Sequence, residues 1–293
     1  MTTRRDFLTL SGAAISATAL AVPTQAQGAR SLSSGDIKIT QIRNATLHVN
    51  YGGVRFLVDP MLSIRHAWPG FEGTVNSDER NPMVHLPLPI EEIIDVDAVI
   101  VTHLHEDHWD EAARNLVPKG LPLFAQNEAD AKKIRSQGFT DVRVLSDSSS
   151  FNGVQLIKTR GRHGTDAAYE KIGKLLGEVC GVVFKKADEK VVYLAGDTIW
   201  NDDVAGVLAT QKPDVAILNT GYAKVIGIDG GIIMGTADVL SVHQAAPDAI
   251  LFASHMEAVN HCTVTRAGLR GFARAQGFAD KLLTPGDGET AIF

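Results

Sequence analysis

Cysteine is scarce: only Cys180 and Cys262 occur in 293 residues. No disulfide framework can be read from one possible pair, even where an oxidising compartment would permit it. Cys180 sits in the apolar stretch Glu178 to Phe184 and reads as a small core filler. Cys262, directly after His261, reads as unreactive packing rather than a weak ligand. Positive charge is also short, with 28 Lys and Arg against 34 Asp and Glu for a net charge of -6. That balance excludes the basic stripe that nucleic acid requires, and the acidic residues form no tail. Internal repeats and linkers are lacking as well. The apolar stretch from Leu8 to Val22 is interrupted by Thr9, Ser11, Ser16 and Thr18 and closed by Pro23, so it does not read as a stable span.

That stretch belongs to a targeting segment. Thr3-Arg4-Arg5-Asp6-Phe7-Leu8 matches the twin-arginine pattern, and Thr24-Gln25-Ala26 is an acceptable cleavage site. The expectation is a signal peptide over residues 1–26, removed after passage through the twin-arginine export machinery. A single domain, 27–293, would then reach the periplasm or the exterior of a bacterial cell with no stable membrane anchor.

What the chain does hold is a dense cluster. His103 to Asp110 reads His-Leu-His-Glu-Asp-His-Trp-Asp, one residue past the apolar run Ala98 to Val101. Imidazole and carboxylate are ligands of zinc, manganese and iron, so this loop reads as a metal cradle rather than a polar surface turn. Alternate side chains of an extended segment share a face, so His103 and His105 can reach one ion. As the loop turns, Asp107 and His108 can reach a second.

The rest alternates strand and helix. Strands are expected at Ile37–Thr40, Ala45–Asn50, Val54–Asp59, Val96–Val101, Leu121–Ala125, Val142–Leu145, Val154–Thr159, Val215–Leu218 and Ala249–Ala253. Val179–Phe184 and Val191–Leu194 read as a hairpin, and two more strands close the chain. Helices are expected at Ile90–Ile94, Glu111–Leu116 behind an Asp110 cap, Asn127–Gln137, Asp202–Ala209, Ala237–Ala245 and near Thr265–Ala275. Residues 61–89 lack periodicity and read as a long functional loop. His163, Asp197 and His255 each follow an apolar strand, where α/β proteins assemble sites. Singly each has an ordinary explanation: a surface histidine, a helix cap, a buried hydrogen-bonded ring. Together with the first cluster they fill two coordination spheres.

On these residues the chain resembles the metallo-β-lactamase fold superfamily. Within it, the likeness is to the group of L-ascorbate-6-phosphate lactonase and N-acyl-phosphatidylethanolamine phospholipase D. The resemblance runs from about Ile37 to Phe293 and implies a four-layer αββα sandwich, an α/β fold with two mixed sheets face to face. It implies two divalent ions, zinc first and manganese or iron as alternatives. His103, His105 and His163 would bind one ion, Asp107, His108 and His255 the other, and Asp197 would bridge both. Asp59 and Asp110 would orient histidine rings through their free nitrogens. Arg43-Asn44-Ala45-Thr46 departs from the Gly-His that often precedes this step in the group, which alters a polar contact behind the metals. No cysteine stands where zinc β-lactamases bind their second metal. His105 occupies the place where flavodiiron oxygen reductases need a glutamate.

The implied activity is hydrolysis of a lactone, ester or phosphodiester in a small-molecule substrate, with a hydroxide shared by two ions as nucleophile and Asp107 as the catalytic residue that orients it and takes its proton. Substrate contacts are expected from His66, Trp68, Phe71, Tyr222, Glu257 and His261 in the surrounding loops. Two other readings compete: a single-iron sulfur dioxygenase with a similar loop, and a metal-dependent binding protein without turnover.

Overall fold

Each strand that enters the site does so with apolar residues on both faces, because each sheet is covered on both sides. In a computed structural model that describes residues 37–293, the chain forms two seven-stranded sheets. The first half supplies β1 (Lys38–Arg43), β2 (Thr46–Tyr51), β3 (Val54–Val58), α1 (Ile90–Ile93), β4 (Ala98–Val101), α2 (Glu111–Leu116), β5 (Leu123–Ala125), α3 (Glu128–Ser136) and β6 (Val142–Val144). The second supplies β7 (Ser149–Phe151), β8 (Val154–Arg160), α4 (Asp166–Leu176), β9 (Cys180–Lys185), β10 (Val192–Leu194), α5 (Asp202–Gln211), β11 (Val215–Asn219), α6 (Thr236–Ala245), β12 (Ile250–Ser254), α7 (Arg266–Gln276), β13 (Leu282–Leu283) and β14 (Thr290–Ile292). One sheet runs β14-β1-β2-β3-β4-β5-β6 and the other β13-β12-β11-β10-β9-β8-β7. The chain therefore ends by returning β14 to the edge of the first sheet, antiparallel to β1.

The period-two alternation of strands sorts side chains into layers. Ala98 and Ile100 of β4 join Val215 and Ile217 of β11 in a core between the sheets. Val99 and Val101 face outward onto Trp109, Ala113 and Ile134. Ala216 and Leu218 face outward onto Val204, Leu208 and Val239. Helices thus cover the outer face of each sheet, and the architecture is the expected αββα sandwich. Trp109 is fully buried beside the site loop, and its indole N–H donates to Gln137 Oε1 at 2.8 Å. Burying a side chain of this kind stabilises by ~1.5–3 kcal/mol, which anchors the loop that carries the histidines.

Several features differ from expectation. Helix α4 and strand β7 have no counterpart in the sequence reading. Thr165 caps α4 by accepting from Ala168 N–H, but Gly173 and a kink at Ile172 break the apolar rhythm. The 61–89 loop is tied down: Trp68 and Asn81 pair as an isolated bridge, and Asn81 bonds Asn260 through both side chains at 2.8 Å. Among the described residues no helix is long and apolar enough to cross a membrane. The export segment expected over residues 1–26 lies outside the described residues.

Candidate metal centre

The strand ends deliver the site. Asp59 follows β3, His103 to Asp110 follow β4, His163 follows β8, Asp197 follows β10 and His255 follows β12. The structure brings all seven expected ligands together. His103 Nε2 lies 3.0 Å from His105 Nδ1, which lies 3.3 Å from His163 Nε2. His108 Nε2 lies 3.1 Å from His255 Nε2, and His255 Nε2 lies 3.2 Å from Asp107 Oδ2. Asp197 stands between: Oδ2 is 3.1 Å from His108 Nε2 and 3.6 Å from His163 Nε2, while Oδ1 is 3.7 Å from His255 Nε2. His103, His105 and His163 form one grouping able to hold an ion, Asp107, His108 and His255 form another, and His103, His108 and Asp197 form a third that links the two.

Whether these side chains suit a cation is decided by their outward nitrogens. His105 Nε2–H donates to Leu175 O at 2.9 Å, and His163 Nδ1–H donates to Ile232 O at 2.8 Å. A carbonyl only accepts, so the inward nitrogens of both rings carry lone pairs. His103 Nδ1–H donates to Thr102 Oγ1 at 3.2 Å, the hydroxyl having given its own proton to Asp59. Three lone pairs therefore face one another at contact distance, an arrangement that repels unless a cation sits among them. The donor set fits a metal, and ring orientation by outward hydrogen bonds is how proteins hold such ligands.

In the second grouping His108 Nδ1–H donates to Asp59 Oδ2 at 2.9 Å, the orienting contact expected of Asp59. His255 Nδ1 is backed by Cys262 Sγ at 3.4 Å, so Cys262 supports a histidine in addition to packing. The role expected of Asp110 is corrected. Its Oδ1 accepts from Ala113 N–H at 2.7 Å as the cap of α2, and its Oδ2 accepts from Ser63 N–H at 2.7 Å. Both oxygens are engaged by backbone, so Asp110 anchors two loops and orients no ring.

Electrostatics divides the histidines. Burial and the imidazoles of His108 and His105 hold His103 well below its ordinary value, and burial pushes His163 down to about 4. Burial opposes charge on His108 too, yet Asp197, Asp107 and Asp59 together raise it to about 10. His255 is raised well above its ordinary value, against burial, by Asp197 and Cys262. Burial would raise Asp107 and Asp197, but His108 and His255 keep both carboxylates ionised far below the usual range. Protons on His108 and His255 thus balance the carboxylates that a bound cation would otherwise balance.

The expected substrate residues separate. His261 is 6% exposed, its Nδ1 is buried with no hydrogen-bond partner among the described residues, and its ring meets Phe71 edge-on at 4.7 Å. Trp68 packs on Phe71 at 5.2 Å, and its Nε1 is likewise buried without a partner. Burial lowers His261 to about 4, with Asp107, His255 and Asp197 all acting on its charge, so the ring stands neutral beside the candidate ligands. The other three are held by other contacts. His66 is exposed, its ring against Arg65. The Glu257 carboxylate accepts from Arg266 Nη1 at 2.7 Å and from Arg266 N–H at 3.0 Å. The Tyr222 ring packs on Gly231 and Gly235, where a Cβ would lie 2.5 and 2.4 Å from it.

Several supporting groups carry no signal in the sequence, because a backbone carbonyl from any residue serves; Leu175 O and Ile232 O are of this kind. Asn219, whose Nδ2 donates to Asp197 Oδ1 at 2.7 Å, was findable as the polar end of a strand beside β10.

Known proteins share both sequence and architecture with this chain. A model of the Beta-lactamase superfamily domain matches residues 54–256. The UPF0173 protein YddR of Bacillus subtilis (strain 168) is 46% identical over 258 residues, covering 88% of this chain and 100% of its own length. The isothiocyanate hydrolase from Delia radicum gut bacteria is 50% identical, with TM-score 0.85 over 87% of this chain and 99% of that one. A possible metal-dependent hydrolase from Veillonella parvula DSM 2008 is 45% identical, with TM-score 0.85 over 87% and 98%. With candidate ligands gathered from both sheets of the sandwich and likeness of this extent to whole proteins, the chain belongs to the UPF0173 metal-dependent hydrolases of the metallo-β-lactamase fold.

Proposed function

We propose that the chain is a two-cation hydrolase acting at an electrophilic carbon of a small uncharged substrate. The observation that carries this reading is the placement of Asp197, which groups with His103 and His108 and so links the His103–His105–His163 donors to the Asp107–His108–His255 donors; a linked pair of donor sets favours two ions over the single iron of a dioxygenase. His103, His105 and His163 would hold one cation and Asp107, His108 and His255 the other, with Asp197 shared. When bound, such cations polarise the electrophile and lower the pKa of water from ~15.7 towards ~7.

The chain's own residues supply the rest. Asp107 is ionised and buried 3.2 Å from His255 Nε2, placed to orient a water and take its proton. Neutral His261 offers a ring nitrogen to a heteroatom of the substrate, and Phe71 and Trp68 give its apolar part a wall. The leading charges acting on Asp107 and Asp197 are imidazoles. Among the guanidinium groups, Arg43 is bound to the carbonyls of Met61, Ser63 and Val84, Arg266 to Glu257 and Asp287, and Arg162, next to His163, to the Gly164 carbonyl and Asp166. That arrangement favours a neutral substrate over a phosphodiester.

Isothiocyanates, lactones and esters meet this description. The relative at 50% identity that hydrolyses an isothiocyanate puts that class first. Water adds across the C=N bond, oxygen to carbon and hydrogen to nitrogen. Cleavage of the C–N bond with proton transfer to nitrogen then releases an amine and carbonyl sulfide.

The test is turnover of alkyl and aryl isothiocyanates, lactones, aryl esters, phosphodiesters and β-lactams by zinc- and manganese-loaded protein. Turnover of a carbon electrophile, abolished by chelation and by Asp107→Ala, is expected. Turnover of phosphodiesters alone, or of nothing in the panel, would refute the proposal. Export by the twin-arginine machinery is proposed from the first 26 residues. Amino-terminal sequencing of the exported protein checks it, with Gln27 expected first.

A further inference from the structure

Asn44 occupies the turn between β1 and β2, is fully buried, and adopts a left-handed φ of 54°. Its two functional ends reach opposite sheets. The side-chain Nδ2 donates to Asp107 O at 3.1 Å and to Asp107 Oδ2 at 3.4 Å, and it lies 3.3 Å from His255 Nε2. The backbone carbonyl accepts from His255 N–H at 3.0 Å and from Ser254 Oγ at 2.8 Å. Gln41 Nε2 donates to the same carbonyl at 2.8 Å. Asp107 comes from the loop after β4 and His255 from the end of β12, so one residue is bonded to a ligand from each half of the sandwich. The remaining amide atom, Oδ1, is buried with no partner among the described residues. A buried acceptor left unpaired is costly in a native fold, and its retention beside two candidate ligands calls for a reason.

We propose that Asn44 is a positioning residue that sets the second cation position, holding Asp107 and His255 at the spacing a shared ion requires. This rests on the two-cation reading above. Its amide donor fixes which Asp107 oxygen turns inward, and its carbonyl fixes where the His255 backbone stands. The left-handed turn is what lets both ends of one short residue point at the site. Asparagine tolerates that conformation better than most residues other than glycine.

The same conformation supplies a clean variant. Asn44→Gly keeps the turn and the carbonyl bonds but deletes the amide, whereas alanine would strain the backbone. Cation-depleted wild type and Asn44→Gly are each titrated with Zn2+ or Co2+ by calorimetry, with circular dichroism as the folding control. Expected are two binding events in wild type. In the variant the first should be unchanged and the second weakened about 10–100-fold, the usual effect of removing a group that orients a ligand. Two unchanged events in a folded variant would overturn the role of Asn44. A single event in wild type would instead overturn the two-cation reading. Should Asn44→Gly fail to fold, a cobalt-loaded wild-type crystal decides: Nδ2 within hydrogen-bond reach of Asp107 supports the role, and Nδ2 turned away from it refutes it.

Discussion

Replacing Asp59 by asparagine tests how the second grouping is tuned. Asp59 is 1% exposed; its Oδ1 accepts from Thr102 N–H, and its Oδ2 accepts from Thr102 Oγ1 and His108 Nδ1. Alanine would leave three buried donors unpaired at ~1–3 kcal/mol each. That sum approaches the ~5–15 kcal/mol by which a domain is stable, so alanine would test folding and not the site. Asparagine keeps the shape and tolerates the φ of 43° at this position. Its Oδ1 can still accept from Thr102 N–H, but an amide NH2 now faces His108 Nδ1. The ring must move its proton to Nε2, the nitrogen 3.1 Å from Asp197 Oδ2, where a cation needs a lone pair. A hydrogen bond to a charged group contributes ~1.5–3 kcal/mol. That agrees with the ~10–100-fold loss of metal affinity or activity usual when such a support is removed. Calorimetric Zn2+ titration and kcat/KM on the same preparation are the assay. A folded Asp59→Asn variant with wild-type affinity and wild-type kcat/KM would refute the reasoning.

Further outcomes are expected at other positions. Asp107→Ala and His105→Ala should each lose nearly all turnover while remaining folded, checked by activity and circular dichroism together. His261→Phe should keep cation stoichiometry but raise KM or lower kcat, by roughly the ~1–3 kcal/mol of an unpaired buried polar contact; unchanged kinetics would remove His261 from the substrate site. Cation loading should release protons, because His108, raised to about 10, and His255, raised well above its ordinary value, are protonated at neutral pH and bind a cation only when neutral. Apparent affinity should therefore rise with pH through the neutral range, read as proton release by calorimetry in buffers of different ionisation enthalpy.

Much of the sandwich could be read because its strands are apolar on both faces and end in polar residues. The run Ala98 to Val101 followed by His103 is one such case, and Val215 to Leu218 followed by Asn219 is another. Helix α4 escaped notice because Gly173 and the break at Ile172 interrupt its periodicity, and its Leu175 is largely exposed. The candidate ligands are legible as side-chain chemistry, whereas their supports are not. His105 and His163 are oriented by carbonyls of Leu175 and Ile232, distant in sequence and unmarked by residue type. Asp110 orients no ring because capping and loop anchoring use both of its oxygens, and the contact with Ser63 joins residues 47 apart that no spacing pattern links. Glu257 is engaged by Arg266, nine residues on, a pairing that sequence spacing does not mark.

The most direct measurement is anomalous diffraction from crystals of the cation-loaded protein at the absorption edge of the bound metal. Two peaks are expected, one among His103, His105 and His163 and one among Asp107, His108 and His255, with Asp197 in contact with both. A single peak at full loading, or peaks that leave Asp197 without a cation, would contradict a shared two-ion centre.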